Sequence, residues 1–152
     1  MFGAALMFAL TAQGIPFYYY GSEQAYAGGN DPGNRESLWQ DMDTSAHLYQ
    51  MTAKVNNARK QTESYKHPFE EKYVLDNLYA FQRGDMFVAL TNGYDDVNQS
   101  VGNLSYADGT TVCSIFDEND CQEVNGGSLN VSLSQGKSKI YVPKSSEEQL
   151  IQ

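Results

Sequence analysis

The chain has 152 residues, a length for one domain or parts of two. Its apolar fraction of 41%, with 12% aromatic, is enough for packed cores and argues against disorder. Ten Lys and Arg against 19 Asp and Glu leave a net charge of -9, which repels phosphate backbones and anionic lipid, so neither nucleic acid nor a membrane surface is an expected partner. Neutral ligands, sugars included, stay open.

Residues 1–12, MFGAALMFALTA, invite two readings. Leu10-Thr11-Ala12 is similar to the tail of a secretion cleavage site, but no basic residue stands at the front and another apolar run follows directly. A buried helix is the expectation, with Gly14 past its end and Pro16 just beyond. The run is too short to span a bilayer. GIPFYYYG, residues 14–21, is a continuous apolar and aromatic run between glycines, as in a strand buried on both faces of a parallel sheet. Residues 22–42 read as loop, with Gly28, Gly29, Asn30, Asp31 and Pro32 in succession. A second helix follows: Leu48, Met51, Val55 and Ala58 share a face, Asp41 and Asp43 stand at its entrance, and Arg59 and Lys60 near its exit suit the helix dipole. Helix, strand, loop, helix is the order of a βα-repeat fold.

From about Tyr73 the pattern changes. LYAFQRGDMFVALTN alternates on either side of Gly84-Asp85, a hairpin with Gly first in a tight turn. Short strands follow around TTVCSIF, SLNVSLS and SKIYVP, separated by Asp108-Gly109, Asn125-Gly126-Gly127 and Gln135-Gly136, which indicates an antiparallel sandwich. The polar stretch 61–72 divides the two parts. The first part holds one buried strand and nothing for it to pair with. Cys113 and Cys121 lie eight apart around SIFDEND, read as an acidic loop that would let two antiparallel strands bring the sulfurs together. Sequons stand at Asn98, Asn103 and Asn130; with a disulfide they point to a secreted origin.

The stretch GIPFYYYGSEQAYAGGNDPGNRESLW, residues 14–39, resembles the end of the catalytic barrel in α-amylases of the fungal and ciliate type, in the clan of α-glucan-acting glycoside hydrolases. The likeness runs over about residues 1–143 and is specific over 14–39. It implies that residues 1–62 close a (β/α)8 barrel (remnant of helix 7, strand 8, helix 8) and that residues 73–152 form an all-β C-terminal domain. It also implies that Asp31 and Arg35 hold a glucose unit on the non-reducing side of the cleft. The chemistry suits a polyol, since a carboxylate accepts from sugar hydroxyls while a guanidinium donates to others. The competing reading is a local ion pair in a loop.

Other residues carry blander expectations. Glu23 reads as a hydrogen-bonded structural acid, Ser22 departs from the Gln usual at its place, and Trp39 is expected to pack under the loop. Arg83-Gly84-Asp85 spells an adhesion tripeptide but reads as a turn. His47 and His67 lack metal-ligand spacing. By the resemblance, the nucleophile, the acid/base and the assisting Asp come from barrel strands four, five and seven, upstream of this chain, as does the family's calcium site. The chain shows no second set of carboxylates to replace them, so it is expected to be inactive alone. The expected whole is a monomeric amylase acting on starch, glycogen or maltooligosaccharides, extracellular or in a digestive vacuole. Alternatives are a fragment of a related α-glucosidase or glucanotransferase, or a non-catalytic secreted sugar-binding β-sandwich.

Overall fold

The computed structural model describes residues 2–144; Met1, residues 145–152 and the Asp41 side chain lie outside the described residues. The last eight residues of the expected sandwich range therefore fall outside it, as does the placing of the Asp41 carboxylate at the helix entrance.

Helix α1 (Phe2–Thr11) is built of Ala, Leu, Met and Phe and buries Leu6, Met7 and Leu10. Its last turn closes with Thr11 Oγ1 donating to the Met7 carbonyl at 2.6 Å, and Gly14 beyond it takes φ +110°. Helix α2 is the short Leu38–Asp41, and α3 (His47–Gln61) buries Met51, Val55 and Ala58 with Leu48 half-buried beside them. The periodicity read from the sequence is thus the packed face. Gly3 lies against the Met51 sulfur and Leu48, so the two long helices start at the same pole. No helix among the described residues is long and apolar enough to cross a membrane.

Eight strands follow: β1 (Glu70–Leu75), β2 (Leu78–Arg83), β3 (Met86–Leu90), β4 (Val97–Val101), β5 (Thr111–Ser114), β6 (Asp117–Glu123), β7 (Leu129–Leu133) and β8 (Lys139–Pro143). Six form an antiparallel sheet in the order β1-β2-β3-β8-β5-β6, and β4 pairs with β7 as a ribbon. Period-2 alternation gives the large sheet two dry faces. Leu78, Ala80, Phe87, Ala89, Val112 and Tyr141 meet the ribbon's Val97, Val101, Leu129, Val131 and Leu133. Phe81, Met86, Val88, Leu90 and Ile140 meet α1 and α3. The expected sandwich is present, with the helices of the first part as a third layer. Gly84 opens the β2–β3 turn at φ +56°, and a Cβ there would stand 2.6 Å from the His67 ring.

Three details differ from expectation. Strand β1 begins at Glu70, inside the stretch read as a polar divider. The TTVCSIF strand stops at Ser114, and Ile115-Phe116 become the turn because both side chains tuck toward the helix-facing core. The acidic residues expected as loop form β6 instead, with Cys121 directly opposite Cys113 and the two joined by a disulfide. A polar strand is at home there, because β6 is a sheet edge and charge deters pairing with other chains.

Candidate functional site

The aromatic run follows α1 without regular secondary structure and joins no ladder among the described residues. Pro16 and Tyr18 turn toward the protein, while Ile15, Phe17 and Tyr19 stand 85%, 91% and 71% exposed. The expected strand buried on both faces is therefore not formed among the described residues: only alternate side chains find cover. The Tyr18 hydroxyl lies 2.9 Å from Thr52 Oγ1 and so docks the segment on α3. Burial pushes the Tyr18 phenol up, the Thr52 hydrogen bond works against this, and the Glu23 charge adds to the rise.

The loop then folds on itself. Gly21 takes φ +81°, and any side chain there would collide with the Tyr26 ring. Gln24 reaches 19 residues ahead, donating to the Asp43 carbonyl at 3.1 Å while accepting from the Asp43 amide at 2.9 Å. Asp43 Oδ1 in turn accepts from the Ser45 hydroxyl at 2.6 Å and the Ser45 amide at 2.8 Å, which hold its carboxyl below the usual range. These bonds close residues 25–42 as a lobe at the start of α3.

At the lobe's tip the Asn34 amide donates to the Asn30 carbonyl and the Arg35 amide to the Pro32 carbonyl. This turn brings Arg35 Nε to 2.8 Å from Asp31 Oδ1, with the side chains 72% and 64% exposed. The sequence-predicted pair is thus assembled. An exposed pair of this kind contributes at most about 1 kcal/mol to folding. Both side chains are largely exposed, so each keeps hydrogen-bonding capacity accessible from solvent.

Other expectations are corrected. Glu23 is half-buried but makes no hydrogen bond among the described residues, because the tight 3-10 turn Ser22–Gln24 gives the bridging role to Gln24. Trp39 does not pack under the loop. It is 96% exposed, since α2 is a four-residue helix too short to offer a buried face. His47 and His67 are both exposed. The tripeptide at 83–85 is a turn as read, but sequence reasoning missed what its arginine does. Arg83 is 4% exposed, and its guanidinium donates to the carbonyls of Thr11 (3.1 Å), Ala12 (2.8 Å) and His67 (3.3 Å). It caps α1 immediately before the aromatic run. Burial, and then the Arg59 charge, hold its pKa below the ordinary arginine value. Among the described residues no group of three or more His, Cys, Asp or Glu is placed to hold a metal ion.

Comparison with known proteins decides what this arrangement is similar to. No family model matches the chain. The Beta/alpha-amylase of Paenibacillus polymyxa is 35% identical over 144 residues, covering 91% of this chain and 12% of that protein. Alpha-amylase 2 of Schwanniomyces occidentalis is 36% identical over 156 residues, covering 93% and 30%. The chain is homologous to the α-amylases. An α-amylase structure from Malbranchea cinnamomea superposes with a TM-score of 0.86 at 32% identity, over 93% of this chain and 32% of that one. The chain therefore spans 12% to 32% of these three proteins, and the helix-backed sandwich matches the corresponding part of the α-amylase structure.

Proposed function

We propose that the chain is the C-terminal part of an α-amylase that cleaves internal α-1,4 bonds of starch or glycogen with retention of configuration. Residues 1–62 end the barrel and residues 73–152 form the C-terminal domain. Asp31 and Arg35 hold a glucose unit away from the bond that breaks. The observation that carries this reading is the exposed 2.8 Å pair at the tip of the Gly-Gly-Asn-Asp-Pro-Gly-Asn-Arg loop. The pair adds little to folding and is largely exposed, so its remaining donors and acceptors are accessible to a polyol. The loop follows the aromatic run, where a barrel of this kind builds its site.

The catalytic carboxylates and the calcium belong, on this reading, to the rest of the enzyme. Retaining hydrolysis needs two carboxyl groups about 5 Å apart flanking the scissile bond. Secretion is supported by the Cys113–Cys121 disulfide and by the exposure of Asn98, Asn103 and Asn130, each of which opens a sequon. The purified 152-residue chain should accordingly release no reducing sugar from soluble starch. Release that survives removal of trace amylase and disappears on mutating a carboxylate of this chain would refute the division of labour.

A further inference from the structure

We propose that the outer face of the β4–β7 ribbon is an N-glycosylation site, with glycans on Asn98 and Asn130 that keep the ribbon's open edges from pairing with other chains. The proposal rests on the reading of an exported enzyme above. Asn98-Gln99-Ser100 lies within β4 and Asn130-Val131-Ser132 within β7, so each strand carries one complete sequon. The antiparallel register sets the two sequons against each other, with Asn98 opposite Ser132 and Ser100 opposite Asn130. All four residues are exposed, while Val97, Val101, Leu129, Val131 and Leu133 face the other way into the core. The outward face of the ribbon is therefore built from the asparagines and hydroxyls of two sequons.

What the ribbon lacks gives the glycans a role. A strand edge with unpaired backbone groups invites another chain unless charge, proline or a bulge blocks it. The six-stranded sheet ends on β1 and β6, and both ends are blocked. Strand β1 carries Glu70, Glu71 and Lys72 with a register shift between Glu71 and Tyr73, and β6 carries Asp117, Glu118, Asp120 and Glu123. The ribbon has only two strands, so β4 and β7 are each an edge. Neither VNQSV nor LNVSL contains a charged residue or a proline, and their ladder has no bulge. Short uncharged segments of this kind are the ones that pair between chains. A bulky, hydrated glycan on each strand does there what charge does at β1 and β6.

The ribbon packs on the face of the large sheet opposite α1 and α3, so glycans on it project away from the helical layer. The Cys113–Cys121 disulfide belongs to the same oxidising compartment in which such glycans are attached. In the transfer, Asn Nδ2 bonds to the anomeric carbon of an oligosaccharide carried on a polyprenyl diphosphate. The bond from that carbon to the diphosphate oxygen breaks, the diphosphate leaves on the lipid, and the amide gives up one proton. Asn103 opens a third sequon beyond the end of β4, where its carbonyl accepts from Lys72 Nζ at 2.6 Å. It stands off the ribbon face, beside a strand that already carries charge.

The 152-residue chain, secreted from yeast behind a cleavable leader, tests this. Enzymatic release of N-glycans in water enriched in heavy oxygen should leave a labelled aspartate at positions 98 and 130 in peptide mass spectra. Ser100→Ala with Ser132→Ala should remove both glycans while leaving the asparagines in place, and this double variant should sediment as larger species than the glycosylated chain. Ser100→Lys with Ser132→Lys also destroys both sequons but puts charge on the same face, and it should sediment like the glycosylated chain. Equal melting temperatures of the three proteins would show that the fold is intact. Label at either position supports the assignment; label at neither, whatever happens at Asn103, overturns it. Ala and Lys double variants that sediment alike overturn the shielding role. Because the leader supplies the compartment, these results bear on the ribbon alone, and detection of the native enzyme in the medium reports separately on its export.

Discussion

Replacing Arg35 by alanine in the complete amylase should lower kcat/KM on long glucans by about one to two orders of magnitude while sparing short substrates. A hydrogen bond involving a charged group is worth roughly 1.5–3 kcal/mol when lost, and about 1.4 kcal/mol corresponds to a factor of ten. The selectivity follows from position, since a contact remote from the scissile bond serves only substrates long enough to reach it. The effect on folding should be small, because the pair with Asp31 is solvent-exposed on both sides. If the pair is purely structural, long and short maltooligosaccharides lose equally and the melting temperature falls. The comparison needs two substrates and one thermal scan.

The largest effect on stability is expected at Arg83. Arg83→Met keeps the apolar volume but leaves the Thr11, Ala12 and His67 carbonyls without their donor in a buried place. Several charge-assisted hydrogen bonds are lost together, and the cost should be about 3 kcal/mol. For a protein of this size that is roughly a 6–12 °C fall in melting temperature. The damage should be local as well as global. Arg83 joins the end of α1 to the end of β2, so α1 and the aromatic run should become accessible to protease before the sandwich does. Arg83→Lys, with one compact charge in place of a planar fork, should recover only part of the loss. A Met variant that melts with the unmodified chain would show that the clamp contributes nothing.

How far these features can be read from the sequence depends on whether their cause is local. The buried face of α3 and the alternation of β7 are visible because one side of each is dry and the residues repeat at its period, while β2 and β3 are visible as apolar runs because both of their faces are dry. Strand β4, VNQSV, has apolar residues only at its two ends, and β6, DENDCQE, has none on a buried face. Both are placed by their partners, β7 and β5, rather than by their own pattern. The aromatic run reads as a strand because its chemistry is that of a core, yet it joins no ladder among the described residues. Asp31 and Arg35 are legible as a pair from their spacing in a turn, but their sugar role comes from resemblance. Arg83 shows no local signal at all, since its acceptors at Thr11 and Ala12 lie 72 and 71 residues away. Trp39 misleads for the opposite reason, a core-type residue on a helix with no face to bury.

Transplanting the chain tests whether it is the C-terminal portion of a working α-amylase. The matching 156-residue portion of the Schwanniomyces occidentalis amylase would be replaced by this chain, and starch hydrolysis by the secreted chimera measured beside the same chimera carrying Arg35→Ala. The chimera should release reducing sugar from starch, with Arg35→Ala impaired on long glucans and near normal on short ones. A chimera that melts cooperatively but releases no sugar from starch would contradict that assignment.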